Sequence, residues 1–155
     1  MPVVNKNGLS AFHDGYKELG VRHQRTITHP NGQVFLVKDE ALITVHAGSR
    51  LITLHWLLPD WLWQWEDGIL TIHQENREVE VSITCQTLDN VALPIEDIRI
   101  IRAGVTLLGS RQDQVMGWIS PTYNVKLPAL SVSISWYSEK SIEIFSTWRF
   151  SKEKS

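Results

Sequence analysis

The run Glu78-Val79-Glu80-Val81-Ser82-Ile83-Thr84-Cys85 alternates polar and apolar side chains without a break. Successive side chains of a strand point to opposite faces, so this period of two puts Val79, Val81, Ile83 and Cys85 together on one buried face. The same alternation runs through Leu130 to Trp136, where Ser131, Ser133 and Ser135 separate apolar residues, and through Ile142, Ile144 and Thr147 to Phe150. It recurs less cleanly at Val21 to Thr28, Val34 to Val37 and Ile98 to Ile101. In Leu51 to Leu57, the residues Leu51, Thr53, His55 and Leu57 fall on one side, with Ile52, Leu54 and Trp56 on the other. Val81, Ile83, Val132, Ile134, Ile142 and Ile144 are the expected core.

Turn chemistry separates these runs. Pro30-Asn31-Gly32 suits a type I turn with Pro30 first and Gly32 left-handed after it, and Glu66-Asp67-Gly68 suits a similar hairpin between Trp61–Trp65 and Ile69–His73. Short strands at short intervals with such turns read as an antiparallel two-sheet β-sandwich. No stretch carries a helical stripe of a dozen residues, and the connections are too short for parallel crossovers. No repeat or boundary interrupts the chain, so residues 1–155 read as a single all-β domain.

At 155 residues, 43% hydrophobic and 21% charged, the chain can bury a real core. A net charge of -2 gives no basic footprint for nucleic acid, and no apolar run reaches the ~18 residues of a membrane span. Cys85 is the one cysteine, so no intrachain disulfide forms, and its alternating neighbours make it a small buried side chain. The N-terminus lacks a signal-peptide pattern, so the chain is either cytoplasmic or a portion whose natural start lies upstream.

Near the N-terminus, Phe12-His13-Asp14-Gly15-Tyr16 runs into Leu19-Gly20-Val21-Arg22-His23-Gln24-Arg25-Thr26. Asp14-Gly15 marks a bend with Gly15 free to take positive φ. Tyr16 then leads back toward the sheet, its ring packing and its hydroxyl bonding the backbone. His23 and Arg25, two apart, share a strand face. That face is either an anionic-sugar contact, Arg pairing with a carboxylate in a fork, or a structural turn with a satisfied His and an exposed Arg.

His13-Asp14-Gly15-Tyr16, then a Leu, then His23-Gln24-Arg25-Thr26 resembles the C-terminal region of heparinase II/III-like proteins. Val37-Lys38-Asp39, Leu54-His55-Trp56-Leu57 and Gly117-Trp118-Ile119-Ser120-Pro121-Thr122-Tyr123-Asn124-Val125 follow in the right order, Ile119 and Asn124 departing from the family's pattern. The resemblance covers about residues 11 to 150 and rests on the order of the motifs. It implies an antiparallel β-sandwich that follows an N-terminal α/α-toroid, in lyases that cleave uronate-containing polysaccharide by β-elimination. It also implies a periplasmic or secreted parent. In the family the acid, base and carboxylate-neutralising groups come from Asn, His and Tyr of the toroid plus a His near the start of the sandwich region. None of the six histidines here stands in that His-Asn-Thr-like context. No catalytic residue is therefore carried over, and the expected partners are the toroid and an acidic polysaccharide.

Trp61, Trp63 and Trp65 fall on one strand face about 6.6–6.8 Å apart. Such a row serves as core, as an interface with another domain, or as a sugar-stacking platform; Pro59-Asp60 before it points to an edge or loop. Gly117 and Pro121 make the Trp118 to Tyr123 segment a loop that either faces substrate or caps the core. His13, His23, His46, His55 and His73 are scattered, with no Cys partner and no short ligand spacing, so no metal and no cofactor is expected. Two rival readings remain: a free-standing carbohydrate-binding module, and an interaction domain whose exposed aromatic patch binds a protein or makes a self-associating dimer.

Overall fold

A computed structural model describes residues 3–5, 8–45, 48–110 and 113–151. The strands are β1 (Val3–Asn5), β2 (Gly8–His13), β3 (Val21–Asn31), β4 (Val34–Ile43), β5 (Arg50–Leu58), β6 (Leu62–Glu66) and β7 (Ile69–Gln74). They continue with β8 (Arg77–Thr87), β9 (Asp97–Arg102), β10 (Val105–Leu108), β11 (Trp118–Ile119), β12 (Leu127–Pro128), β13 (Leu130–Ser138) and β14 (Ile142–Phe150). Among the described residues the sole helical element is a 3₁₀ turn, Lys17–Leu19, and no helix is long and apolar enough to cross a membrane. The fold class is all-β, an antiparallel two-sheet β-sandwich.

The strands gather into two compact units. The first, formed by residues 1–50, 62–93 and 138–155, holds an eight-stranded sheet in the order β1-β2-β3-β4-β14-β8-β7-β6. Its register shows how the period of two becomes a core. Phe35, Trp148, Val81, Leu70 and Trp65 are successive Cα partners across β4, β14, β8, β7 and β6. Arg25, Asp39, Ile144 and Cys85 form a parallel row on the same face. Val81, Ile142 and Ile144 are at most 3% exposed and Ile83 5%, as the alternation requires. Each such side chain contributes about 1.5–3 kcal/mol of burial. Burial also pushes the Cys85 thiol up to about 12.

The second unit, residues 51–61 and 94–137, holds a four-stranded sheet in the order β10-β9-β13-β5 and the small β11–β12 ladder. In β5, Leu51, Thr53, His55 and Leu57 are exposed while Leu54 and Leu58 are buried, so the expected sidedness holds. Strand β13 departs from a half-buried strand. Val132, Ile134 and Trp136 are buried, but so are Ser131, Ser133 and Ser135 on the other face. Hydrogen bonding makes the second face buriable: Ser131 donates to the Met116 sulfur at 3.1 Å and lies 2.8 Å from His55 Nε2. Ser135 and Thr53 share a hydroxyl bond of 2.8 Å.

The turns need correction too. The β3–β4 hairpin closes over Gly32-Gln33 on the Asn31–Val34 pair, and Gly32 does not take a left-handed φ. Pro30 has no N–H for the ladder, and the register shifts between Thr28 and Asn31, moving the turn along the chain. In the β6–β7 hairpin both Asp67 (φ 48) and Gly68 (φ 80) are left-handed, the pattern of a type I′ turn, which matches strand twist.

Candidate functional site

Strand β2 ends at His13, and the chain returns through Asp14–Gly20 into β3. The left-handed residue of this return is Gly20 (φ 66), not Gly15. A Cβ on Gly20 would also stand 2.7 Å from the Val45 Cβ, so glycine is required there twice over. Gly15 answers a different need, since the His13 ring lies directly against it and accepts its N–H at 3.3 Å. Tyr16 stays 49% exposed, with its ring edge-on to His13 at 5.6 Å. Its expected return to the sheet does not occur, because the 3₁₀ turn carries it away. Asp14 pairs with Arg22 at 3.2 Å, and Arg22 sits over the Phe12 ring at 5.4 Å. Both partners are about half exposed, so the pair adds little stability.

One residue organises the His-x-Arg face. Asp39, 3% exposed on β4, is the Cα partner of Arg25 on β3. Arg25 donates from Nε to Oδ1 at 2.7 Å and from Nη2 to Oδ2 at 3.0 Å, and His23 Nε2 lies 2.7 Å from Oδ1. Burial alone would raise the Asp39 carboxyl, but hydrogen bonds and charge from His23 and Arg25 overcome it and hold the group below its ordinary value. The fork that would grip a uronate already grips an internal carboxylate. A carboxylate-oriented imidazole resembles the start of a general-base dyad. Yet Arg25 shares the acid, and among the described residues no tyrosine hydroxyl is hydrogen-bonded to His23. His13 is the cross-strand partner of His23 and is exposed.

Trp63 and Trp65 lie on edge strand β6, half-buried, on the face they share with Ile72 and Leu70. Trp61 is half-buried just before β6, while Leu62 is 79% exposed. In the second unit Trp118 opens β11, which pairs with β12, so part of the expected loop is a short ladder. Lys126 covers the Trp118 ring at 4.2 Å, and Tyr123 is 89% exposed at the loop tip. Within the first unit, His13, Asp14, Tyr16, His23 and Arg25 sit at one end of β2–β3 and Trp63 and Trp65 on β6; Trp61, Trp118 and Tyr123 belong to the second unit.

The other described histidines make local contacts. His55 faces Ser131, and burial lowers its pKa; His73 pairs with Glu78 at 3.3 Å; His29 stacks on Phe35 at 4.2 Å. His46 lies outside the described residues. Among those residues no three His, Cys, Asp or Glu side chains gather as metal ligands. Sequence reasoning missed Asp39 as the hub. Its signal was present: an acid at an inward position of the Phe35, Val37, Asp39, Ala41 alternation requires a buried partner.

No protein-family model matches the chain, and no curated protein does either. The fold is similar to heparan sulfate lyase HepC from Pedobacter heparinus, with TM-score 0.64 and 16% identity over 100% of this chain and 22% of that one. It is also similar to a heparinase III gene product, with TM-score 0.60 and 14% identity over 99% of this chain and 21% of that one. The chain thus spans about a fifth of the length of the solved structures it matches. It has the fold of that portion of a heparinase III.

Proposed function

We propose that residues 1–155 are one non-catalytic β-sandwich domain of a heparinase II/III-like polysaccharide lyase. The observation that carries this reading is the lopsided match: all of this chain against about a fifth of heparan sulfate lyase HepC. The remaining four fifths leave room for an α/α-toroid bearing the reactive groups, whose activity would be β-elimination on a uronate-containing polysaccharide. The parent is then a periplasmic or secreted enzyme. The pairing of His23 and Arg25 with one carboxylate supports a scaffolding role, since both side chains are bound to Asp39. On this reading the sandwich supports the toroid, and Tyr123 and the neighbouring Lys126 are its contacts to acidic glycan.

The test is direct because elimination leaves an ultraviolet-absorbing unsaturated uronate. The chain is incubated with heparin, heparan sulfate, alginate and hyaluronan, and the expected trace is flat for all four. Product formation that disappears in Tyr16→Phe or Tyr123→Phe would overturn the non-catalytic assignment. A second reading, a self-associating interaction domain, draws on the exposure of Leu62 (79%) and Val115 (81%). Concentration-dependent sedimentation would favour it.

A further inference from the structure

The eight-stranded sheet has a second face, opposite Val81, Ile83 and Cys85. There Thr28, Leu36, Thr147 and Ser82 form one rung across β3, β4, β14 and β8, and Thr26, Lys38, Phe145 and Thr84 form the next. A shallow open groove of about 240 Å³ lies over these rungs, lined by Thr26, Thr28, Leu36, Lys38, Phe145 and Thr147. Sites enclosing a drug-sized ligand run to about 300–1,000 Å³, so this trough suits a single ring.

Its lining is mainly apolar, with polar groups at the margin. The Phe145 ring, the Leu36 side chain and the threonine methyls supply an apolar floor. Among the described residues the Thr28 and Thr147 hydroxyls have no side-chain hydrogen-bond partner, whereas Thr26 shares one with Ser10 at 3.0 Å. At one end Lys38 Nζ lies 3.1 Å from Glu40 and 3.2 Å from Glu143, and Gln86 donates to the other Glu143 oxygen at 3.2 Å. Two carboxylates against one ammonium leave that end at -1. At the other end Arg149 is the Cα partner of Glu80, so charges balance there. A uronate would meet a net negative end beside Lys38, and a flat hydrocarbon would leave the hydroxyls unanswered. A ring with a C–H face, hydroxyl edges and no charge satisfies both.

We propose that this groove is a binding subsite for a neutral pyranose of a glycan chain. Phe145 and Leu36 lie under the C–H face of the sugar, and Thr28, Thr147 and the Lys38–Glu143 cluster meet its hydroxyls. The proposal does not depend on the lyase assignment, since a lyase domain and an unrelated module can both carry such a groove.

The experiment follows backbone amide NMR shifts of the whole chain during titration with neutral hexasaccharides of β-glucose, β-N-acetylglucosamine and α-mannose. A heparan sulfate hexasaccharide runs in parallel. At least one neutral sugar should produce saturable shifts centred on Thr26, Thr28, Leu36, Lys38 and Thr147. Phe145→Ala should weaken that binding at least tenfold. Thr147→Val, which keeps the shape and removes one hydroxyl, should weaken it at least threefold while leaving the spectrum folded. Three outcomes overturn the proposal: no shift with any neutral sugar, shifts centred elsewhere, or tighter binding of the sulfated sugar in this groove. The ultraviolet assay is unaffected by all three, so failure here and failure of the lyase reading are separable.

Discussion

Replacing Asp39 by Asn isolates the contribution of one buried charge at nearly constant volume. In the native protein its two oxygens receive two N–H groups of Arg25 at 2.7 and 3.0 Å, and His23 Nε2 at 2.7 Å. An Asn amide turns one acceptor into a donor, which must then face either the guanidinium or the imidazole. Breaking a fully buried ion pair costs about 3–5 kcal/mol. Here Asp39 is buried, but the Arg25 and His23 side chains keep 34% and 32% exposure, so water solvates them in the variant. The expected loss is therefore about 2–4 kcal/mol at pH 7. For a chain of this length that is a fall in Tm of roughly 4–16 °C. The sign of the pH dependence follows from the lowered folded-state pKa of Asp39. Its stabilisation is fully present above the unfolded value of about 3.9 and is lost as pH falls through the folded value. Wild type and Asp39→Asn should then differ by the full amount in urea unfolding at pH 7, followed by tryptophan emission, and converge only once the pH has fallen through the lowered folded-state value. A difference under about 0.5 kcal/mol at pH 7, or one that persists unchanged into acid, would refute the hub role.

Two further outcomes follow from the fold. The Cys85 thiol, 4% exposed and raised to about 12, should resist a disulfide-exchange probe in the native protein and react completely in urea; rapid native labelling would contradict its burial. Gly68→Ala, at φ 80 with open space around its Cα, should cost about 1–2 kcal/mol from backbone strain alone, and an unchanged Tm would refute the type I′ turn.

Much of the fold was legible because strand periodicity is a local property. Val79 to Cys85 needed no tertiary knowledge to be assigned a face, and the Asp67-Gly68 hairpin follows from backbone sterics. The errors arose where a neighbour decides. Pro30 looked like a turn opener, but the ladder on β4 turned it into a bulge and moved the bend to Gly32-Gln33. Gly15 looked like the left-handed residue, but the return into β3 assigns that conformation to Gly20. Ser131, Ser133 and Ser135 looked like an outward face, and only Thr53, His55 and Met116, distant in sequence, allow some of those hydroxyls to be buried with partners.

The candidate site was less legible for a related reason. A pattern such as His23-Gln24-Arg25 states which groups share a face, but not whether a third chain segment already occupies them. Asp39 lies fourteen residues beyond Arg25, and pairing of β3 with β4 brings it directly opposite. Once it is there, the same two side chains change from a ligand site to an internal brace. The groove over Phe145 shows the converse. No single strand there carries a motif: Thr26, Lys38 and Phe145 come from three strands and are ordinary residues in each. A binding surface built across rungs leaves no signature along the chain, whereas a structural brace built from a compact motif leaves a strong one. The most conspicuous pattern in this sequence therefore marks what holds the sheet together, and the least conspicuous residues line the surface proposed to meet a ligand.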